Sequence, residues 1–124
     1  MRSTAHNLLT AASIAVVLFA LGMSAAPAVI AQDAALAAEG KKVAFDRRKG
    51  NCLACHMMGD GNLAGNIGPP LIAMQARFPD KAALRAQIHD PRVRNPQTIM
   101  PPFGPHEIIS ESDIDKITEY VWTL

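Results

Sequence analysis

Large aromatic side chains are scarce in this sequence, which has one Trp, one Tyr and four Phe among 124 residues. One of the four, Phe19, lies in an apolar N-terminal run outside the expected folded domain. A small domain already buries a modest fraction of its surface, so these few rings do not fill a core by themselves. We therefore expect part of the interior to come from a bound group rather than from the polypeptide.

A charge excess is also missing, because 12 Lys and Arg face 11 Asp and Glu and the formal net charge is +1. Nucleic-acid-binding domains show a basic excess, so that class is excluded. The charges are nevertheless uneven, with a basic cluster before the two cysteines and an acidic cluster near the C-terminus. The basic cluster is either a solvated helix face or a docking surface that Arg92 and Arg94 extend. It consists of Lys41, Lys42, Arg47, Arg48 and Lys49.

Strand patterns of useful length and internal repeats are absent from the sequence. Asp33 is placed to cap a helix that reaches Lys49, and Asp80 to cap a helix over Lys81 to His89. Ser110 begins a last helix, in which apolar residues recur at helical spacing. We therefore predict an all-α fold.

Residues 1–31 have the three-part pattern of a secretory signal peptide. Arg2 precedes an apolar run from Leu8 to Met23, and small residues follow up to Ala31. The run is shorter than the ~20 residues that span a bilayer comfortably, which disfavours an uncleaved anchor. We predict cleavage after Ala31, with Ala28 as the alternative site. The prediction implies a mature domain of residues 32–124, a periplasmic location and no membrane contact after cleavage.

Cys52, Cys55 and His56 form the strongest motif in the chain, Cys-x-x-Cys-His. Two thiols at this spacing reach two vinyl groups on one edge of a porphyrin, and the adjacent imidazole then faces the iron. The pattern is that of c-type haem attachment. We predict one covalently bound haem c, held by Cys52 and Cys55, with His56 as an iron ligand.

Three other interpretations of the two cysteines have less support from the sequence. A disulfide between Cys52 and Cys55 would close a loop too short to stabilise much. A thioredoxin-like redox pair would need a βαβ setting. A zinc site would need further ligands, and His89 and His106 stand at no usual ligand spacing.

Met100 is the best candidate for the second axial ligand. It lies far enough from His56 to reach the opposite haem face, and two prolines follow it and stiffen its loop. The two methionines directly after His56 cannot reach that face. His106 is the runner-up, and Met74 is better explained as a flexible core filler. Met/His ligation raises the potential of haem iron.

Pro69 is predicted to support His56. Iron-bound histidines donate their second ring N–H to an oxygen, and the carbonyl of Pro69 stands in a stiff Gly-Pro-Pro turn. The alternative is an ordinary proline turn. No cluster of titratable residues suggests acid–base work, so no catalytic residue is predicted.

These motifs resemble class I cytochromes c over nearly all of residues 32–124. The resemblance implies a few short helices around one haem, with the first and last helices crossing at Gly40 beside Tyr120. The stretch from Asp46 to Gly50 departs from that family as a small insertion after Phe45. The resemblance is carried by Gly40, Phe45, Cys52 to His56, Gly68 to Leu71, Met100-Pro101 and Tyr120.

A narrower resemblance is to the SoxX family, in the segments Phe45 to His56, Gly65 to Leu71 and Met100 to Gly104. SoxX is the smaller cytochrome subunit of the SoxAX complex of bacterial thiosulfate oxidation. The resemblance implies a heterodimer with a SoxA-like dihaem or monohaem subunit, which conjugates thiosulfate to a cysteine of the SoxYZ carrier. This chain would accept the electrons and pass them to a downstream cytochrome c.

Two alternatives to a SoxAX subunit stay open from the sequence. One is a free-standing periplasmic monohaem electron carrier of a respiratory chain. The other is a haem enzyme or sensor with an open iron position, which a bond from Met100 would block.

Overall fold

The computed structural model describes residues 26–124, and their side chains from residue 31 onward. Within these residues, four α-helices occur in chain order, with two short 3₁₀ helices between them. Within residues 26–124 no strand forms, and an isolated bridge pairs Met58 with Leu71. This architecture confirms the all-α prediction. The α-helices are α1 (Ala26–Phe45), α2 (Met74–Arg77), α3 (Lys81–His89) and α4 (Glu111–Trp122), and the 3₁₀ helices are Cys52–Ala54 and Pro91–Val93.

Helix α1 is placed differently from the prediction at both ends. Its described part, from Ala26, is already helical before Asp33, so Asp33 lies inside the helix instead of capping it, because the alanine-rich stretch favours helix. It ends at Phe45 instead of Lys49, because the Asp46 carboxylate accepts a hydrogen bond from the backbone N–H of Arg48 at 2.8 Å. Such a local turn competes with the helix for the same backbone.

Most of the predicted signal peptide, residues 1–25, lies outside the described residues. The predicted cleavage point after Ala31 falls within α1, and the boundary between residues 31 and 32 stays a prediction. Within residues 26–124 no helix is both long enough and apolar enough to cross a membrane.

Helices α3 and α4 begin where the sequence predicted, each at a side-chain cap. The Asp80 carboxylate accepts from the backbone N–H of Ala83 at 2.8 Å. The Ser110 hydroxyl accepts from the backbone N–H of Asp113 at 3.1 Å. Caps of this kind satisfy N–H groups that lack a partner within the helix.

Helices α3 and α4 run antiparallel, and both contribute buried residues to the core. Lys81 pairs with Glu119, and Arg85 pairs with Asp115, each at 2.6 Å. The residue number of the partner on α4 falls as the residue number on α3 rises, so the two helices run in opposite directions. The apolar faces between these helices are buried and consist of Leu84, Ile88, Ile114, Ile117 and Val121.

Helix α1 crosses α4 at Gly40. A Cβ atom built on Gly40 would overlap the backbone carbonyl of Lys116, so the two helix backbones touch at this point. Next to the crossing, the rings of Phe45 and Tyr120 meet edge to face, with centroids 6.0 Å apart. The insertion from Asp46 to Gly50 therefore leaves the packing of Phe45 against the last helix intact.

Replacing Gly40 by Ala should destabilise the protein. In a solvent-exposed helix the change would raise the free energy of unfolding by about 1 kcal/mol. Here the methyl group meets backbone that cannot move aside, and overpacking costs typically about 1–3 kcal/mol. Denaturant unfolding of the haem-loaded protein measures the difference. Ala38→Gly on the exposed face of α1 is the control, with an expected loss of about 1 kcal/mol, and a stabilised Gly40→Ala variant would contradict the crossing.

Candidate functional site

The cysteine motif follows a sharp backbone turn after α1. Asn51 adopts a left-handed conformation with φ of 47°, and the 3₁₀ helix Cys52–Ala54 begins directly after it. The backbone N–H of His56 then donates to the carbonyl of Cys52 at 2.9 Å. Asn tolerates this conformation better than most residues, so the local sequence supports the turn that presents the motif.

The loop after the motif folds back along it. Backbone hydrogen bonds of 2.8 Å run from Gly65 to Leu53, from Gly68 to Cys55 and from Leu71 to Met57. These contacts place the Gly68-Pro69-Pro70 turn beside the motif. These hydrogen bonds satisfy backbone groups of the loop although it forms no strand.

The structure places the Nδ1 atom of His56 2.7 Å from the carbonyl oxygen of Pro69. A carbonyl oxygen only accepts, so Nδ1 carries the proton and Nε2 keeps its lone pair. A Cβ atom on Gly68 would overlap the imidazole ring. The turn therefore fixes both the tautomer and the position of a histidine suited to bind a metal through Nε2.

A cavity of about 610 Å³ brings the predicted site residues together. Cys52, Cys55, His56, Pro69 and Met100 all line it. Its volume lies within the usual range of cofactor sites, roughly 300–1,000 Å³. Residues distant in sequence thus line the same cavity.

The other candidate axial ligands are placed less favourably. Met74 also lines the cavity, but it is 2% exposed and its sulfur accepts a hydrogen bond from Arg77 at 3.6 Å. His89 and His106 do not line the cavity. Among the described candidates, Met100 is therefore the methionine on the cavity wall whose sulfur has no competing side-chain hydrogen bond.

Both cysteine thiols are free and half-buried. Burial raises the pKa of the Cys52 thiol to about 11, whereas redox-active cysteine pairs depend on a lowered thiol pKa. The described part of the chain holds no group of three or more His, Cys, Asp or Glu side chains arranged for a metal ion. The site therefore does not match a redox pair or a zinc centre.

Among the described residues that line the cavity, every charged side chain is cationic. These cationic side chains come from the segment before Cys52, from α2 and from the chain after α3. The guanidinium group of Arg94 stacks over Phe78 at 5.3 Å, which holds it beside the cavity. Arg77 was not predicted from sequence, and its only sequence signal is its helical spacing from Met74. The set is Arg47, Arg48, Lys49, Arg77 and Arg94.

These features fit haem c. Two thiols suit its vinyl groups, and an imidazole with a free Nε2 and a thioether suit its iron. The apolar wall suits the porphyrin face, and the cationic side chains suit acidic propionates. A group of this size also supplies the core material that the few aromatic residues lack.

The chain is similar to known proteins in both sequence and structure. Residues 35–121 match the profile of the family described as cytochrome c oxidase, cbb3-type, subunit III. An uncharacterized lipoprotein of Aquifex aeolicus (strain VF5) is 34% identical over 76 residues, covering 60% of this chain. The chain spans only 36% of the length of that relative. The crystal structure of SoxXA from P. pantotrophus matches with a TM-score of 0.62 and 25% identity, covering 68% of this chain and 78% of that chain.

Replacing both Cys52 and Cys55 by Ala should abolish covalent haem attachment, because no thiol then remains to form a thioether bond. Haem staining after denaturing electrophoresis measures this directly. Ala54→Ser, at the exposed position between the cysteines, keeps both thiols and should stain fully. A double variant that still stains would refute the assignment.

Proposed function

Since the chain belongs to the cytochrome c family that residues 35–121 match and therefore carries covalently bound haem c, we propose that it is the electron-accepting subunit of a SoxAX-type complex. In this proposal it works in the periplasm beside a SoxA-like haem subunit. The cavity that gathers Cys52, Cys55, His56 and Met100 carries the proposal, together with the likeness to SoxXA.

Each site residue has a distinct proposed role in holding the cofactor. Cys52 and Cys55 would hold the haem through thioether bonds, and His56 and Met100 would bind its iron. Pro69 keeps the Nδ1 proton of His56 in place through the 2.7 Å hydrogen bond. Haem c supplies a one-electron redox centre, and the thioether of Met100 favours its reduced state.

The chemistry of thiosulfate conjugation requires a partner. Joining thiosulfate to a thiol forms a sulfur–sulfur bond, breaks the thiol S–H bond, and releases one proton and two electrons. Both cysteines of this chain are assigned to haem, so the reacting thiol belongs to another protein. One haem accepts only one electron, so a second redox centre or two rounds of transfer are needed. The proposed activity, L-cysteine S-thiosulfotransferase, is therefore a property of the complex, with the SoxYZ carrier as substrate.

The surface around the cavity favours a protein partner. Ile67 and Ile99 line the cavity and are also 63% and 77% exposed. Arg48, on the same rim, has a side chain that is 94% exposed. Exposed apolar groups rimmed by charge are typical of interaction sites. A partner that covers this rim would bring its own redox centre close to the haem edge, and a downstream cytochrome c would then remove the electron.

A free-standing periplasmic electron carrier is the second candidate. The match to a family described by a respiratory oxidase subunit favours it. Purification from the native host separates the two candidates, because a SoxAX subunit copurifies with a larger c-type cytochrome and a free carrier does not.

Replacing Met100 by Ala should remove the weak long-wavelength iron–sulfur band from the oxidised protein. The reduction potential should also fall, within the range of about 0.8 V over which axial ligands set it. Met57→Ala, at a position 56% exposed, is the matched control and should keep both properties. Survival of the band in Met100→Ala would assign the ligand to Met74. A wild-type protein without the band would favour His106 or an open iron position.

The chain alone should not turn over thiosulfate. We expect thiosulfate-dependent reduction of an artificial acceptor only when a SoxA-type haem subunit and the SoxYZ-type carrier are both present. Robust turnover by the purified chain with carrier alone would sink the proposal.

The same assay tests docking through the basic rim of the cavity, which consists of Arg47, Arg48 and Lys49. Changing Arg47, Arg48 and Lys49 to Gln should slow turnover most at low salt, where charge steering is strongest. The control changes Lys42, Lys81 and Lys116 to Gln, which alters the net charge equally at positions off the cavity wall. Equal loss in both triple variants would show that net charge, rather than this rim, matters.

A further inference from the structure

The loop that follows Met100 is tied to the last residue of α3. The backbone N–H of Gly104 donates to the carbonyl oxygen of His89 at 3.0 Å. Carbonyls in the last turn of a helix have no partner within the helix. The Met100 loop therefore supplies that partner and is fixed to the end of α3.

The ring of His89 also sets how closely the loop can approach. A Cβ atom built on Gly104 would overlap three atoms of the imidazole ring. The backbone of the loop thus lies directly against the ring, where only glycine fits. A smaller residue at position 89 would remove this support.

The first residue of α4, Glu111, contacts the ring of His89. The Nε2 atom of His89 lies 3.1 Å from a carboxylate oxygen of Glu111. The other oxygen of Glu111 accepts from Arg85 at 2.6 Å, and Arg85 also donates to Asp115 at 2.6 Å. The hydrogen bond from Arg85 holds the pKa of Glu111 below its usual value, so the carboxylate stays available as an acceptor at neutral pH.

The short stretch from Gly104 back to Met100 is stiff. Two prolines lie in it, and each fixes one backbone angle. Pro102 and Phe103 are buried, and the carbonyl of Phe103 accepts from Ile108 at 3.0 Å. On the other side, the N–H of Met100 donates to the Thr98 hydroxyl at 3.2 Å. A shift of the backbone at Gly104 therefore also moves Met100, because the residues between them have little conformational freedom.

We propose that His89 is a positioning residue for Met100: its carbonyl and its ring hold Gly104, and the stiff loop then holds the thioether at the cavity wall. The inference rests on the proposed ligation of iron by Met100. His89 itself touches no reacting atom. It acts through the loop, and the carboxylate of Glu111 keeps its ring in place.

The iron–sulfur band and the helical circular dichroism of the oxidised holoprotein, followed together during heating, test the proposal. His89→Ala should lose most of the band well below the temperature at which the helices melt, and its reduction potential should fall. His89→Gln keeps a flat group against Gly104 and a donor for Glu111, so it should restore most of the band. His106→Ala, an exposed histidine of the same loop, should behave like wild type.

Gly104→Ala gives a second route to the same result if His89→Ala yields no holoprotein, because the added methyl group pushes the loop off the ring. Band loss that only accompanies helix melting would overturn the positioning role, as would a Gln variant no better than Ala. A wild-type protein without the band would refute ligation by Met100 and the role of His89 with it. A normal wild-type band with unaffected variants would refute the role of His89 alone.

Discussion

Two thiols and one imidazole must face the same cavity from within the short segment Cys52 to His56, and the surrounding structure depends on that constraint. The left-handed turn at Asn51 starts the segment at the required angle. The returning loop then pairs with the segment through backbone hydrogen bonds. Through this pairing the Pro69 carbonyl reaches the His56 ring and fixes its tautomer. A histidine without that partner would have either ring nitrogen available to bind a metal.

Residues from the rest of the fold complete the lining of the cavity. Helices α3 and α4 supply an apolar wall and are joined by ion pairs along their exposed edge. Helix α1 crosses α4 at Gly40 and brings the motif against that wall. Helix packing alone leaves the cavity without a filling side chain, since the chain has so few aromatic rings. The haem is therefore a structural part of the hydrophobic core as well as the redox centre.

Local chemistry explains what the sequence predicted well. The caps at Asp80 and Ser110 depend on residues three positions apart, so they can be read from the chain alone. The haem motif is equally local. The limits of α1 were wrong because helix propensity before Asp33 and a side-chain turn at Asp46 outweighed the expected signals.

Tertiary contacts explain what the sequence did not predict. Arg77 on the cavity wall and the contact of Gly104 with His89 join segments distant in the chain. No spacing rule connects such residues. In the same way, only the folded chain shows that the ring of His89 lies against the backbone of the loop that follows Met100. Circular dichroism of the chain produced without haem attachment tests most directly whether the cofactor is part of the core. We predict little helix and no cooperative melting in that form, and a haem-free chain that is as helical as the holoprotein and melts as cooperatively would contradict this.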